Sequence, residues 1–112
     1  MAFNQTLANR IDRKLAGIRG MKSKEMFGGI CFLLKGKMCC GVIKDEMIIR
    51  VEPSNSDMVL SNPHAREFDF SGHPMKGWFY IHSNGLKSDK ELSYWVEMSL
   101  KYSKSLPAKK KK

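Results

Sequence analysis

Residues 28–41 read GGICFLLKGKMCCG. Two short apolar runs flank a polar break, Lys35-Gly36-Lys37, which is the pattern of an antiparallel β-hairpin. The same window holds all three cysteines of the chain. It therefore has a competing reading as a metal or redox centre, and the choice between the two decides what kind of molecule this is.

A hairpin makes a testable claim about which side chains share a face. If the turn is Lys35-Gly36-Lys37, Leu34 faces Met38, Phe32 faces Cys40 and Ile30 faces Val42, all on one side. The other side then carries Leu33 opposite Cys39 and Cys31 opposite Gly41. A second turn at Asp45-Glu46 adds Met47, Ile49 and Val51 to the side of Phe32 and Cys40, which is the expected core. Adjacent Cys39 and Cys40 point to opposite faces of a regular strand and cannot jointly ligate a metal. Cys31 and Cys39 lie diagonally on the second side, with Cβ atoms about 7 Å apart, too far for an unstrained disulfide. No CxxC or HxxxH spacing occurs, and His64, His73 and His82 fall in separate local contexts. The cysteines are expected to be small buried hydrophobes, with no metal and no cofactor.

Working outward, Phe3, Leu7, Ile11, Leu15 and Ile18 draw one apolar stripe on a helix, capped by Asn4 or Thr6 and stopped by Gly20. Its basic outer face is compatible with a membrane surface, but core packing is the expectation. Residues 47–51 form a third strand, and Pro53 ends the strand region. Ser54 or Ser56 caps a short helix through residues 57–60, which stops before Asn62-Pro63. Residues 68–70 alternate as a short strand, Ser71-Gly72-His73-Pro74 turns, and GWFYIH (77–82) is an aromatic strand. Ser88 and Glu91 form a capping-box pattern opening a last helix, with Leu92, Trp95, Val96, Ser99 and Tyr102 or Ser103 inward. The order α-β-β-β-α-β-β-α defines an α+β fold, two-layer, with helices packed on an antiparallel sheet.

A chain of 112 residues is one domain, here residues 1–106, followed by a lysine-rich tail, 107–112, expected to be disordered. No apolar run reaches the ~18 residues of a membrane span. The N-terminus lacks the apolar core of a secretory signal, so a cytoplasmic protein is expected. The net charge is +9, and Lys109, Lys110, Lys111 and Lys112 supply four of those charges. Such a balance favours phosphate-bearing partners, but without sequence readout.

Few constellations carry chemistry. His64 and Arg66, near a turn, are candidates for anion binding or acid–base work; structurally they would bond a helix end or pair with Glu67. Gly28-Gly29 does not open a helix and reads as a bulge or kink. Trp78 and Tyr80 point to one side of their strand and Phe79 to the other. They invite comparison with base-stacking platforms, but no basic–aromatic motif surrounds them and an aromatic core is the expectation. With no nucleophile motif or paired carboxylates, an enzyme is not expected.

Several segments, in order, resemble the N-terminal domain of the TfoX/Sxy regulators of bacterial competence: MFGGICFLLKGKM (26–38), IIRVEP (48–53), FDFSGHPMKGW (68–78) and LSYWVEMSLKY (92–102). The resemblance implies an α-β(3)-α-β(2)-α fold akin to secretion-chaperone-like folds. Full-length members look like transcriptional co-activators working with a cyclic-AMP receptor protein, and they carry a second domain. No catalytic residue carries over; Arg50, within IIRV, matches a family motif position. The expectation is a stand-alone, non-enzymatic regulatory module that binds a protein partner. Direct nucleic-acid binding through the basic surface and tail is the alternative. Because the second side of the hairpin is mainly apolar, a homodimer contact through the sheet is also expected.

Overall fold

The computed structural model describes residues 3–26, 28–70 and 73–105. Helix α1 (Gln5–Leu15) is followed by strands β1 (Met21–Met26), β2 (Gly29–Leu34), β3 (Lys37–Ile43) and β4 (Glu46–Arg50). A 3-10 turn (Pro53–Asn55) and helix α2 (Ser56–Leu60) lead to β5 (Ala65–Phe70) and β6 (His73–Ile81). A second 3-10 turn (Ser83–Gly85) precedes helix α3 (Asp89–Ser105). The strands form one antiparallel sheet in the order β1-β2-β3-β4-β6-β5. The α+β class and the helix-on-sheet layering are as expected, with one strand more than the sequence pattern reveals. That strand, β1, exposes Lys22, Ser23, Lys24 and Glu25 after a half-buried Met21, so no alternation marks it.

Local chemistry sets the helix ends. Asn4 caps α1, its side-chain oxygen accepting from the Leu7 N–H at 3.0 Å. The helix stops earlier than Gly20: Ala16 is already extended, and Gly17 follows at φ +86°. On α3 the capping box is made as expected. The Ser88 hydroxyl accepts from the Glu91 N–H at 3.0 Å, and the Glu91 carboxylate accepts from the Ser88 N–H at 3.3 Å.

The opening hairpin contains the main correction. Its inner half has the expected register, Ile30 opposite Val42, Cys31 opposite Gly41 and Phe32 opposite Cys40. Its outer half is displaced, with Leu33 opposite Met38 and Leu34 opposite Lys37. The turn is two residues, Lys35 and Gly36, with φ of +52° and +86°. Two central residues with positive φ make a type I′ turn, whose twist matches that of the flanking strands. The residue thus released is accommodated as a β-bulge at Cys39, which has no opposite number on β2. Cys39 consequently joins Cys40 in the core, both fully buried, instead of pointing away from it. Between β3 and β4 the turn is Lys44-Asp45, and Met47 faces Val42 while Ile49 faces Cys40. This differs by two residues from the expected register, a shift that keeps every side chain on its predicted face.

One core results. Leu7, Ile11 and Leu15 of α1 and Leu92, Trp95 and Val96 of α3 meet Phe32, Val42, Met47, Ile49, Phe79 and Ile81 of the sheet. Val59 of α2 joins the same cluster. Residues at the alternate positions, Cys31 and Ile48, are buried but lie outside it. All three described helices thus place their core side chains on one face of the sheet, and only the end of α3, through Tyr102, reaches a side chain of the other.

Candidate functional site

The helix-free face is where the unusual side chains gather. Alternation along β6 sends Phe79 and Ile81 into the core and leaves Trp78 and Tyr80 half-buried on the opposite side. The ladder places Arg50 opposite Trp78, and both Ile48 and Arg66 opposite Tyr80. Phe68 closes the group, its ring centroid 6.0 Å from Trp78 and 4.9 Å from Tyr80. The expected aromatic core is therefore correct for Phe79 alone.

Each end of this aromatic group carries a guanidinium. Arg66 Cζ lies 4.3 Å from the centre of the Tyr80 ring. Arg50 Cζ lies 5.2 Å from that of Trp78 and 5.6 Å from that of Tyr102, near the end of α3. All three distances fall within the range of cation–π attraction. The two arginines differ in what else they touch. Arg66 is held by Glu46 through two parallel hydrogen bonds, one of them Nη2 to Oε1 at 2.8 Å and the other Nη1 to Oε2. That pairing holds the Glu46 carboxyl below its ordinary value and raises Arg66. Glu67, the partner expected for Arg66, is one residue along the strand and so belongs to the opposite face. Arg50 makes no ion pair with any described residue.

From this group an apolar strip runs back across the sheet. Ile48 and Cys31 are buried within it, and Leu33, Met38 and Ile43 are half-buried. At the far edge, β1 sets Lys22 opposite Leu33 and Lys24 opposite Cys31, both lysines exposed.

His64 lies apart from that surface. A shallow pocket of about 340 Å³ beside it is lined by Pro63, His64, Ala65, Arg66, His82 and Asn84. The two histidines meet because β5 and β6 pair; the His82 N–H donates to the His64 carbonyl at 2.8 Å. The His82 ring serves the backbone, whereas His64 bonds through its own main chain. The His64 N–H donates to Asn62 Oδ1 at 2.9 Å, and the Asn84 N–H donates to His82 Nδ1 at 3.0 Å. Gly85 is required there, since a Cβ would lie 2.7 Å from that of His64. Thus Arg50 and Arg66 share one face, and His64 reaches only Arg66. Lys109 to Lys112 lie outside the described residues.

The cysteines form no centre of three. The adjacent Cys39 and Cys40 thiols influence each other, which lowers Cys39 and, with burial, raises Cys40 well above the usual thiol range. Cys31, across the sheet, is raised by burial. All three are free. Among the described residues, no three His, Cys, Asp or Glu side chains come together as metal ligands. No described helix is long and apolar enough to cross a membrane.

The structure is thus a two-layer α+β module whose free sheet face alternates guanidinium groups with aromatic rings. The model of the TfoX N-terminal domain matches residues 13–103, and the chain belongs to that family. No curated protein and no solved structure matches it.

Proposed function

We propose that the chain is a non-enzymatic regulatory module that recognises a protein partner through the helix-free face of its sheet. The observation that carries this is Arg50, a guanidinium held between Trp78 and Tyr102 with no carboxylate of the described chain beside it. Aromatic residues and arginine are the side chains that dominate the energetics of protein interfaces. Here they sit on rigid strands, which keeps the entropy cost of docking low. Family membership supports a regulatory setting, because the full-length relatives look like transcriptional co-activators.

Affinity capture on immobilised wild-type chain and on Trp78→Ser, with both protein and nucleic acid identified in the eluate, tests the reading. A protein retained by wild type and lost on Trp78→Ser supports it. The net charge of +9 favours the second reading, direct nucleic-acid binding. In that case nucleic acid is retained by both chains and released by salt, with a steep slope in an electrophoretic titration at two salt concentrations. Such a result would replace the protein-partner reading.

A further inference from the structure

We infer that the helix-free face docks an acidic amphipathic helix of a partner protein, with Arg50 holding one of its carboxylates. This rests on the protein-partner reading above and adds the chemistry of the partner.

Charge comes first. By register the face presents Lys22 and Lys24 at one edge and Arg50 and Arg66 at the other end. Its one described acidic side chain within a strand, Glu46, is already committed to Arg66. Three of these four described cations therefore remain for a partner to neutralise, and only Arg50 among them offers a fork for bidentate carboxylate binding. A second copy of this chain brings the same cations and a further charge of +9, so like charges would oppose a homodimer on this face.

Shape then chooses among anions. A single-stranded nucleic acid needs open ring faces on which bases stack. The rings of Trp78 and Tyr80 each carry a guanidinium already. Between the cationic ends lies the apolar strip of Ile48, Cys31, Leu33, Met38 and Ile43, which suits aliphatic side chains better than phosphates. The strip also crosses the strands instead of following them, so it offers no backbone edge for an added strand. Six strands at their usual spacing span about 24 Å. A helix of about 16 residues covers that length.

Trp78 is a built-in reporter, since the other tryptophan, Trp95, is 2% exposed in the core. The test titrates the full chain with an 18-residue amphipathic peptide carrying a leucine stripe and glutamates elsewhere. Its counterpart with glutamine for every glutamate and an 18-nucleotide oligothymidylate are run alongside. The acidic peptide should shift Trp78 emission and bind about tenfold tighter than the glutamine peptide. Arg50→Gln should lose about tenfold, with Arg50→Lys restoring only part. Lys22→Gln with Lys24→Gln, on an exposed edge, should weaken binding and flatten its salt dependence without disturbing the fold. Equal binding of the two peptides would overturn the acidic preference and leave the protein-partner reading standing. Tighter binding of the oligonucleotide would overturn both. Failure of the acidic peptide to bind, or self-association that buries Trp78, would overturn the inference, while the capture experiment still decides the broader reading.

Discussion

Ser99 and Ser103 put their hydroxyl oxygens on the buried face of α3 with no hydrogen-bond partner in good geometry. Ser103 at least lies toward the Cys39 thiol, which it helps to lower. Ser99 is fully buried with its hydroxyl unpartnered, and a buried hydroxyl without a partner costs about 1–3 kcal/mol. Ser99→Ala should therefore stabilise the chain by about 1 kcal/mol, helped by alanine's better helix propensity. A higher urea midpoint with an unchanged slope is the expected result; a lower midpoint would mean that the hydroxyl is satisfied. Glu46 supplies a prediction in pH. Its folded-state value is depressed below the ordinary 4.5 by Arg66, so the pair's contribution is complete above that value. It is lost as pH falls through the lower, folded value. Arg66 is 56% exposed, so solvent screening limits the effect to under about 1 kcal/mol. Stability of wild type should thus fall more steeply than that of Glu46→Gln below about pH 5. Parallel unfolding curves down to pH 3 would exclude the pair as a contributor.

At the scale of the element, the bulge shows what residue patterns convey and what they do not. Phe32, Val42, Met47 and Ile49 were legible as core because the polar turns at Lys35-Gly36-Lys37 and Asp45-Glu46 set the alternation of the runs they join. The run Met38-Cys39-Cys40-Gly41-Val42-Ile43 is apolar throughout, and an unbroken apolar run carries no phase marker. An inserted residue leaves no trace in it, so only the turn geometry at Lys35 and Gly36 reveals that Cys39 is the extra one. Strand β1 escaped for the opposite reason: Lys22 to Glu25 are polar on both faces, and its only described strand partner is β2. Alternation alone gives the aromatic strand its correct phase, but the partner that makes Trp78 a surface feature, Arg50, lies 28 residues away on β4. Two element-scale predictions follow the same logic of local geometry. Gly77 has φ +82°, and a Cβ there would lie 2.6 Å from the Val51 carbonyl oxygen, whose own N–H donates to the Gly77 carbonyl at 2.7 Å. Gly77→Ala should cost about 1–3 kcal/mol and disturb the end of β6 beside Trp78. Ser88→Ala, which removes the cap of α3, should cost about 1 kcal/mol and leave the face untouched. Thermal unfolding of both variants, with Trp78 emission as the local readout, separates the two effects.

For the whole molecule, the placement of all described helices on one side makes stability uneven across the sheet. Strands β3 and β4 are central, and α3 packs directly over them with Trp95, Val96 and Leu92. Helix α1 is fastened to α3 and the segment before it. Arg10 donates to the Leu86 carbonyl at 2.9 Å, and Lys14 Nζ contacts Asp89 and Ser93 at 2.7 Å each. At the periphery, β1 has a partner on one side only and exposes four successive side chains. Local opening is cheapest where few apolar contacts must be given up. Native-state hydrogen exchange should accordingly be slowest in β3 and β4, intermediate in α1, and fastest among the strands in β1. The same gradient bears on recognition. An acidic helix lying across the free face would contact β1 through Lys22 and Lys24 at one end and the Arg50 group at the other. It would therefore tie the least protected strand to the most rigid part of the sheet. Binding should slow exchange in β1 more than in β3, whose protection is already set by global unfolding. If β1 is as protected as β3 in the free chain, the edge strand is held by something beyond its pairing with β2. The coupling between docking and edge-strand order would then be lost.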